Sequence, residues 1–315
     1  MFVPNFLRRL FKPVGHPPAG FGMREHSVQC MGPHGLHRMT YVEWGDPDNQ
    51  KVLLCVHGLT RNARDFDALA QALSSDYRVI CPDVVGRGNS DWLKVKSDYT
   101  FPLYVSDMVT LIARLGVEHV DWVGTSMGGV IGMLLAGQPH TPVRRLVLND
   151  VGPLITAESL RRIGQYIGRA PTFPTLEAAE QYMRQIGASF GPLTDEQWQH
   201  LTRYSMRSIE TGYTFGYDPS LGDPFQMMPI LFNVVVWDSF DRIHYPVLAI
   251  RGAESDLIRR ETWLEMAKRG PKAELVEFSG IGHAPMLMSE DQIAAVRDFL
   301  LDSNERAAGT ACQEP

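Results

Sequence analysis

Cysteine is scarce in this sequence: Cys30, Cys55, Cys81 and Cys312 are the four in a chain of 315 residues. No C-x-x-C pair occurs, and Cys55 and Cys81 lie inside apolar runs. That pattern argues against a disulfide framework and predicts buried, reduced thiols. No apolar run approaches the roughly 20 residues that a bilayer span requires, so no transmembrane segment is expected. The opening residues, MFVPNFLRRLFKPVG, have no sustained hydrophobic stretch and no small-residue cleavage site. They predict a short amphipathic arm, not a signal peptide, and a cytoplasmic location. Basic charge is not in excess either. The formal net charge is −6 and the Lys and Arg residues are dispersed, which argues against nucleic acid as a partner. Gly86-Arg87-Gly88 lacks the third glycine of a dinucleotide fingerprint, so no NAD or FAD cofactor is expected.

One short segment invites a metal reading. HSVQCMGPHGLH carries His26, Cys30, His34 and His37. The spacing matches no usual zinc finger or knuckle, and its Gly-Pro and His-Gly pairs predict a hairpin turn, so no metal is expected there.

What the sequence does contain is a strand–helix alternation. KVLLCVHG, YRVICP, HVDWVGT and VRRLVLN are near-continuous apolar runs, as in strands covered on both faces. Segments of helical period separate them, among them ARDFDALAQALSSD, with Phe66, Leu69, Ala70 and Leu73 on one side. This rhythm predicts a mostly parallel α/β sheet flanked by helices, with right-handed crossovers. It breaks from about residue 153 to 237, where the patterns are helical, rich in Tyr, Phe, Met and Trp, and without a convincing strand. It resumes with YPVLAIRG and AELVEF and closes on the helical SEDQIAAVRDFLLDS. The predicted organisation is a core of residues 1–152 and 238–315, with an arm over 1–22 and a frayed tail from about 304. A helical insertion occupies 153–237.

The chemistry centres on DWVGTSMGGVIGMLLAG, where five glycines surround Ser126. Gly124-Thr125-Ser126-Met127-Gly128 has the form G-x-S-x-G at a strand-to-helix junction. So sharp a turn lifts the serine hydroxyl clear of the sheet and leaves no room for side chains two residues away. Strand–Gly–helix turns also occur as simple tight packing, and a serine hydroxyl needs a base that is oriented by an acid. Asp256 follows one later strand and His283, in GIGHAPM, follows the next. The C-terminal ends of parallel strands share one crevice, so the order Ser126, Asp256, His283 predicts a catalytic triad.

On these motifs the sequence resembles the α/β-hydrolase superfamily. The resemblance rests on His57-Gly58 closing a strand, Asp83 and Gly86-x-Gly88-x-Ser90 after the next, the elbow at Ser126, Asp256 and His283. It implies the α/β-hydrolase fold, with residues 153–237 as a helical cap. It also implies an oxyanion hole made by the backbone N–H groups of Leu59 and Met127. The expected activity is carboxylic-ester hydrolysis through an acyl-enzyme, without metal or cofactor, on a small apolar ester such as a hydroxyacid oligoester or polyester fragment. Thioesterase, lactonase and carbon–carbon bond hydrolase remain alternatives, as does a binding protein that keeps the fold without catalysis. Some relatives place the acid after an earlier strand, at the position of Asp150. The RGAESD setting favours Asp256.

Overall fold

The computed structural model describes residues 22–226 and 230–302. The arm, the tail, Cys312, Met227 and Met228 lie outside the described residues. The chain opens with an antiparallel hairpin, β1 (Arg24–Gly32) and β2 (Gly35–Trp44), as the turn residues predict. Then come β3 (Val52–Val56), α1 (Asp67–Leu73), β4 (Arg78–Pro82), α2 (Phe101–Leu115), β5 (Val120–Thr125), α3 (Met127–Ala136) and β6 (Val143–Asn149).

Each central strand is buried on both faces, which accounts for its unbroken apolar sequence. In β3, Leu54 and Val56 face one core with Trp122, Leu146, Met108 and Ile131. Leu53 and Cys55 face the other, with Val79, Val147, Phe66, Leu69 and Leu73. The helical stripe of ARDFDALAQALSSD is thus one wall of the second core. Cys30, Cys55 and Cys81 are buried free thiols.

Between β6 and the next sheet strand runs the insertion. It comprises β7 (Leu154–Ile155), α4 (Ala157–Gly164), α5 (Leu176–Ile186), α6 (Asp195–Ser205), β8 (Met206–Ile209), β9 (Gly212–Phe215), α7 (Asp223–Gln226), β10 (Val234–Val235) and α8 (Trp237–Asp241). The expectation of no strand here needs correcting. β8 and β9 form a hairpin, and β7 pairs with β10, setting Leu154 opposite Val235. The second pair ties the two ends of the insertion into one neck. Strands of two to four residues show too few alternations to be told from one face of a helix, which is why the pattern hid them. The insertion is also fastened to the loop after β4. Gly88 N–H donates to the Gly216 carbonyl and Asp218 N–H to that of Gly86, while the buried Asp218 carboxylate accepts from Tyr99 Oη–H at 2.7 Å.

The chain returns to the sheet through β11 (Val247–Gly252), α9 (Arg260–Met266), β12 (Glu274–Phe278) and α10 (Glu290–Leu301). The eight strands are ordered β1-β2-β4-β3-β5-β6-β11-β12, parallel from β4 onward. Among the described residues, no helix is long and apolar enough to cross a membrane.

Candidate active site

Ser126 stands between β5 and α3 at φ 53°, ψ −114°, a backbone conformation that L-residues rarely adopt. The surrounding glycines are needed for clearance. A Cβ on Gly128 would lie 1.9 Å from the Val56 carbonyl oxygen, and one on Gly124 would lie 2.4 Å from the Gly128 backbone. Any side chain at either position would push α3 off the sheet.

His283 comes from the loop after β12. Its Nε2 lies 3.0 Å from Ser126 Oγ and its Nδ1 lies 2.7 Å from Asp150 Oδ2. Asp150 is fully buried at the end of β6. Gly252 N–H donates to its Oδ1 at 2.8 Å and Ser255 O–H to its Oδ2 at 2.6 Å. A carboxylate has no proton to offer, so Nδ1 of His283 carries the hydrogen, and Nε2 is left to accept from the serine hydroxyl. Asn149 secures the same corner, donating to Thr125 Oγ1 and to the Pro285 carbonyl in the histidine loop.

The predicted triad therefore needs one correction. Ser126 and His283 meet as expected, but the acid beside the imidazole is Asp150, not Asp256. β6 and β11 pair in register through Asn149 and Ile250, so Asp150 ends beside Gly252, within reach of the histidine loop. Asp256 lies four residues past β11, where the chain has turned away from His283 toward the insertion. It is more than half exposed and forms an ion pair with Arg162 of α4. The loop's inward residue is Ser255, which serves Asp150.

Leu59 and Met127, expected as oxyanion donors, both line the cavity that holds Ser126 and His283. A Cβ on Gly58 would lie 3.7 Å from Ser126 Cβ, so the Gly58–Leu59 loop passes directly beside the serine. Met127 is the first residue of α3, where backbone N–H groups have no intrahelical partner. Sequence reading missed what holds this loop. Arg87 is fully buried; its Nε–H donates to the Leu59 carbonyl at 2.8 Å, its Nη1 to Val85 O and Tyr104 Oη, and its Nη2 approaches Met127 Sδ. The only sequence signal is an arginine between the two glycines of Gly86-x-Gly88-x-Ser90, and that pattern assigns the arginine itself no role.

His57 is likewise structural. Val84 N–H donates to its Nε2 at 2.9 Å, which fixes the hydrogen on Nδ1, and Nδ1–H donates to the Gly58 carbonyl at 2.7 Å. Complete burial, chiefly, lowers its pKa from 6.5 to about 3, so the folded protein keeps this ring neutral. An unfolded His57 takes up a proton below about pH 6.5. The stability tied to the neutral ring is therefore complete above that pH and is lost as pH falls toward 3, with a slope approaching about 1.4 kcal/mol per pH unit. Urea unfolding at pH 7 and pH 5 should show a smaller pH dependence for His57→Gln than for the wild type. An equal dependence would contradict this role.

The residues weighed for a metal divide. His26 stacks on Tyr41 and His34 bonds Asp98, whereas Cys30 and His37, opposite each other in the β1–β2 register, meet Asp107 of α2. These three buried donors lie within 4.8 Å of one another. His37 Nε2 bonds Asp107 at 2.9 Å, and burial, with the nearby carboxylate, pushes the Cys30 thiol up to about 12. In that state the cluster is a polar knot fastening the hairpin to α2.

The fold is that of the α/β hydrolases. A model of the alpha/beta hydrolase fold matches residues 51–288, and the chain belongs to that family of hydrolases. A curated relative, the 3-hydroxybutyrate-oligomer hydrolase of Cupriavidus necator, is 51% identical over 280 residues, covering 86% of this chain and 96% of that one. Among solved structures, an alpha/beta hydrolase from Novosphingobium aromaticivorans is 35% identical with a TM-score of 0.77, covering 89% of this chain and 98% of its own. A protein from Rickettsia typhi is 33% identical with a TM-score of 0.82 at the same coverage.

Proposed function

We propose that the chain is a serine hydrolase of carboxylic esters, with short hydroxyacid oligoesters as its substrates. The observation that carries this reading is His283, bonded at once to Ser126 Oγ and to the buried Asp150. In the proposed cycle, Nε2 of His283 takes the serine proton as Oγ attacks the acyl carbonyl. Asp150 holds the ring in its Nδ1–H tautomer and stabilises the imidazolium. The Leu59 and Met127 N–H groups hold the tetrahedral oxyanion, and Arg87, which pins the Leu59 carbonyl, keeps that loop in place. The imidazolium protonates the departing alkoxide. Water, deprotonated by His283, then releases the acid from the acyl-enzyme.

Residues 153–237 act as the cap in this reading. They supply Leu160, Ile163, Tyr166, Phe215 and Phe225 to a mostly apolar cavity of about 620 Å³ above the serine. Such a roof excludes water and rewards apolar acyl groups by burial. The identity shared with the Cupriavidus necator enzyme favours a hydroxyacid oligomer among esters.

Efficiency should accordingly rise from p-nitrophenyl acetate to butyrate, by up to about fourfold per methylene, since each buried methylene contributes roughly 0.8 kcal/mol. Linear 3-hydroxybutyrate oligomers should exceed thioesters and lactones of matched size. The test is kcat/KM across that panel. Lactones or thioesters outrunning the linear oligoesters would overturn the substrate assignment.

A further inference from the structure

The lining of the cavity is unbalanced in charge. Four arginines, Arg61, Arg87, Arg162 and Arg169, face it against two carboxylates, Asp65 and Asp256. Two of the arginines are already committed. Arg61 grips Asp65 through Nε and Nη2 at 2.7 and 2.6 Å and donates to Ser205. Arg87 spends its donors on carbonyl oxygens, Tyr104 and Met127 and is closed off from solvent.

Arg162, on α4 of the insertion, differs from both. Its Nη1 pairs with Asp256, while its Nε is buried and has no hydrogen-bond partner among the described residues. A buried N–H without an acceptor is uncommon and costly, and on a side chain that lines a ligand cavity a ligand atom is one partner that could complete the set. The remaining edge of the guanidinium, Nε with Nη2, is the planar two-donor fork that matches a carboxylate. Asp256 pairs with the opposite edge through Nη1 and leaves Nε, the covered member of the fork, without a hydrogen-bond partner among the described residues.

We propose that Arg162 forms a carboxylate-binding subsite that takes the free acid terminus of the substrate while the scissile ester lies on Ser126. The inference rests on the ester-hydrolase reading and extends it. A linear hydroxyacid oligoester has one carboxylate end, so anchoring that end sets the direction of the chain in the cavity and places the cut at a fixed distance from the acid terminus. A neutral ester of the same length lacks this anchor.

The test compares the linear 3-hydroxybutyrate trimer as its free acid and as its methyl ester, with the methyl ester as each variant's own reference. The wild type should favour the free acid by roughly tenfold to a hundredfold in kcat/KM, mostly through KM. Arg162→Gln should bring that ratio close to one. Arg162→Lys, which restores a charge without the fork, should recover part of it. A wild-type ratio near one, or a ratio unchanged in Arg162→Gln, would overturn the subsite. Calorimetric binding of the same two ligands to Ser126→Ala reads the preference without turnover. If the wild type hydrolyses neither ligand but Ser126→Ala prefers the acid, the ester-hydrolase reading fails and the subsite stands. Equal binding of the two forms overturns the subsite whatever the activity.

Discussion

Replacing Ser126 with alanine is expected to lower ester turnover by about 10⁶-fold, the scale seen when a triad nucleophile is removed. Alanine keeps the Cβ that Ser126 already carries at φ 53°, so the turn and its contacts persist and only the hydroxyl is lost. Thermal unfolding should therefore change little while kcat collapses. The remaining rate comes from the proposed oxyanion donors and from binding alone. A variant that retains wild-type turnover would remove Ser126 from the chemistry, and one that is inactive because it is unfolded would be exposed by its melting curve.

The second large effect concerns the acid. Asp150→Asn should cost about 10⁴-fold in kcat, because an amide can donate to Nδ1 and so favours the wrong imidazole tautomer. Asp256→Asn should cost less than tenfold, since that side chain is more than half exposed and serves Arg162, not His283. Measuring kcat for both variants on p-nitrophenyl butyrate separates the two aspartates. The reverse ranking would return the acid to the later strand and would mean that the Asp150–His283 bond is structural only.

That pair of variants also marks where sequence reading stopped. The central strands were legible because burial on both faces leaves continuous apolar runs such as VLLCV. The elbow was legible because a serine turn of this sharpness admits only glycine two residues away. His283 was legible from its Gly-rich loop after the last strand. The acid was not, because two aspartates followed strands and nothing in RGAESD tells which way the loop turns. In the structure Ser255 turns to Asp150 and Asp256 to Arg162 of α4, and the register of β6 against β11 carries Asp150 to the histidine. Sequence pattern specifies which strand end a residue occupies, but the direction of a side chain in an irregular loop depends on tertiary packing. The short strands of the insertion were lost because two to four residues carry too little alternation, and β7 in addition pairs with a partner distant in sequence. Arg87 and Arg162 acquire meaning only from their neighbours, one from the carbonyls it ties together and the other from the acceptor its buried Nε lacks among the described residues.

The central claim is that Ser126, activated by His283 and Asp150, attacks the ester carbonyl. Its most direct test is mass spectrometry of the protein after reaction with a fluorophosphonate. The account predicts one adduct per chain, mapped by peptide sequencing to Ser126, absent from Ser126→Ala and formed far more slowly in Asp150→Asn. No adduct in the wild type, or an adduct on another residue, would contradict it.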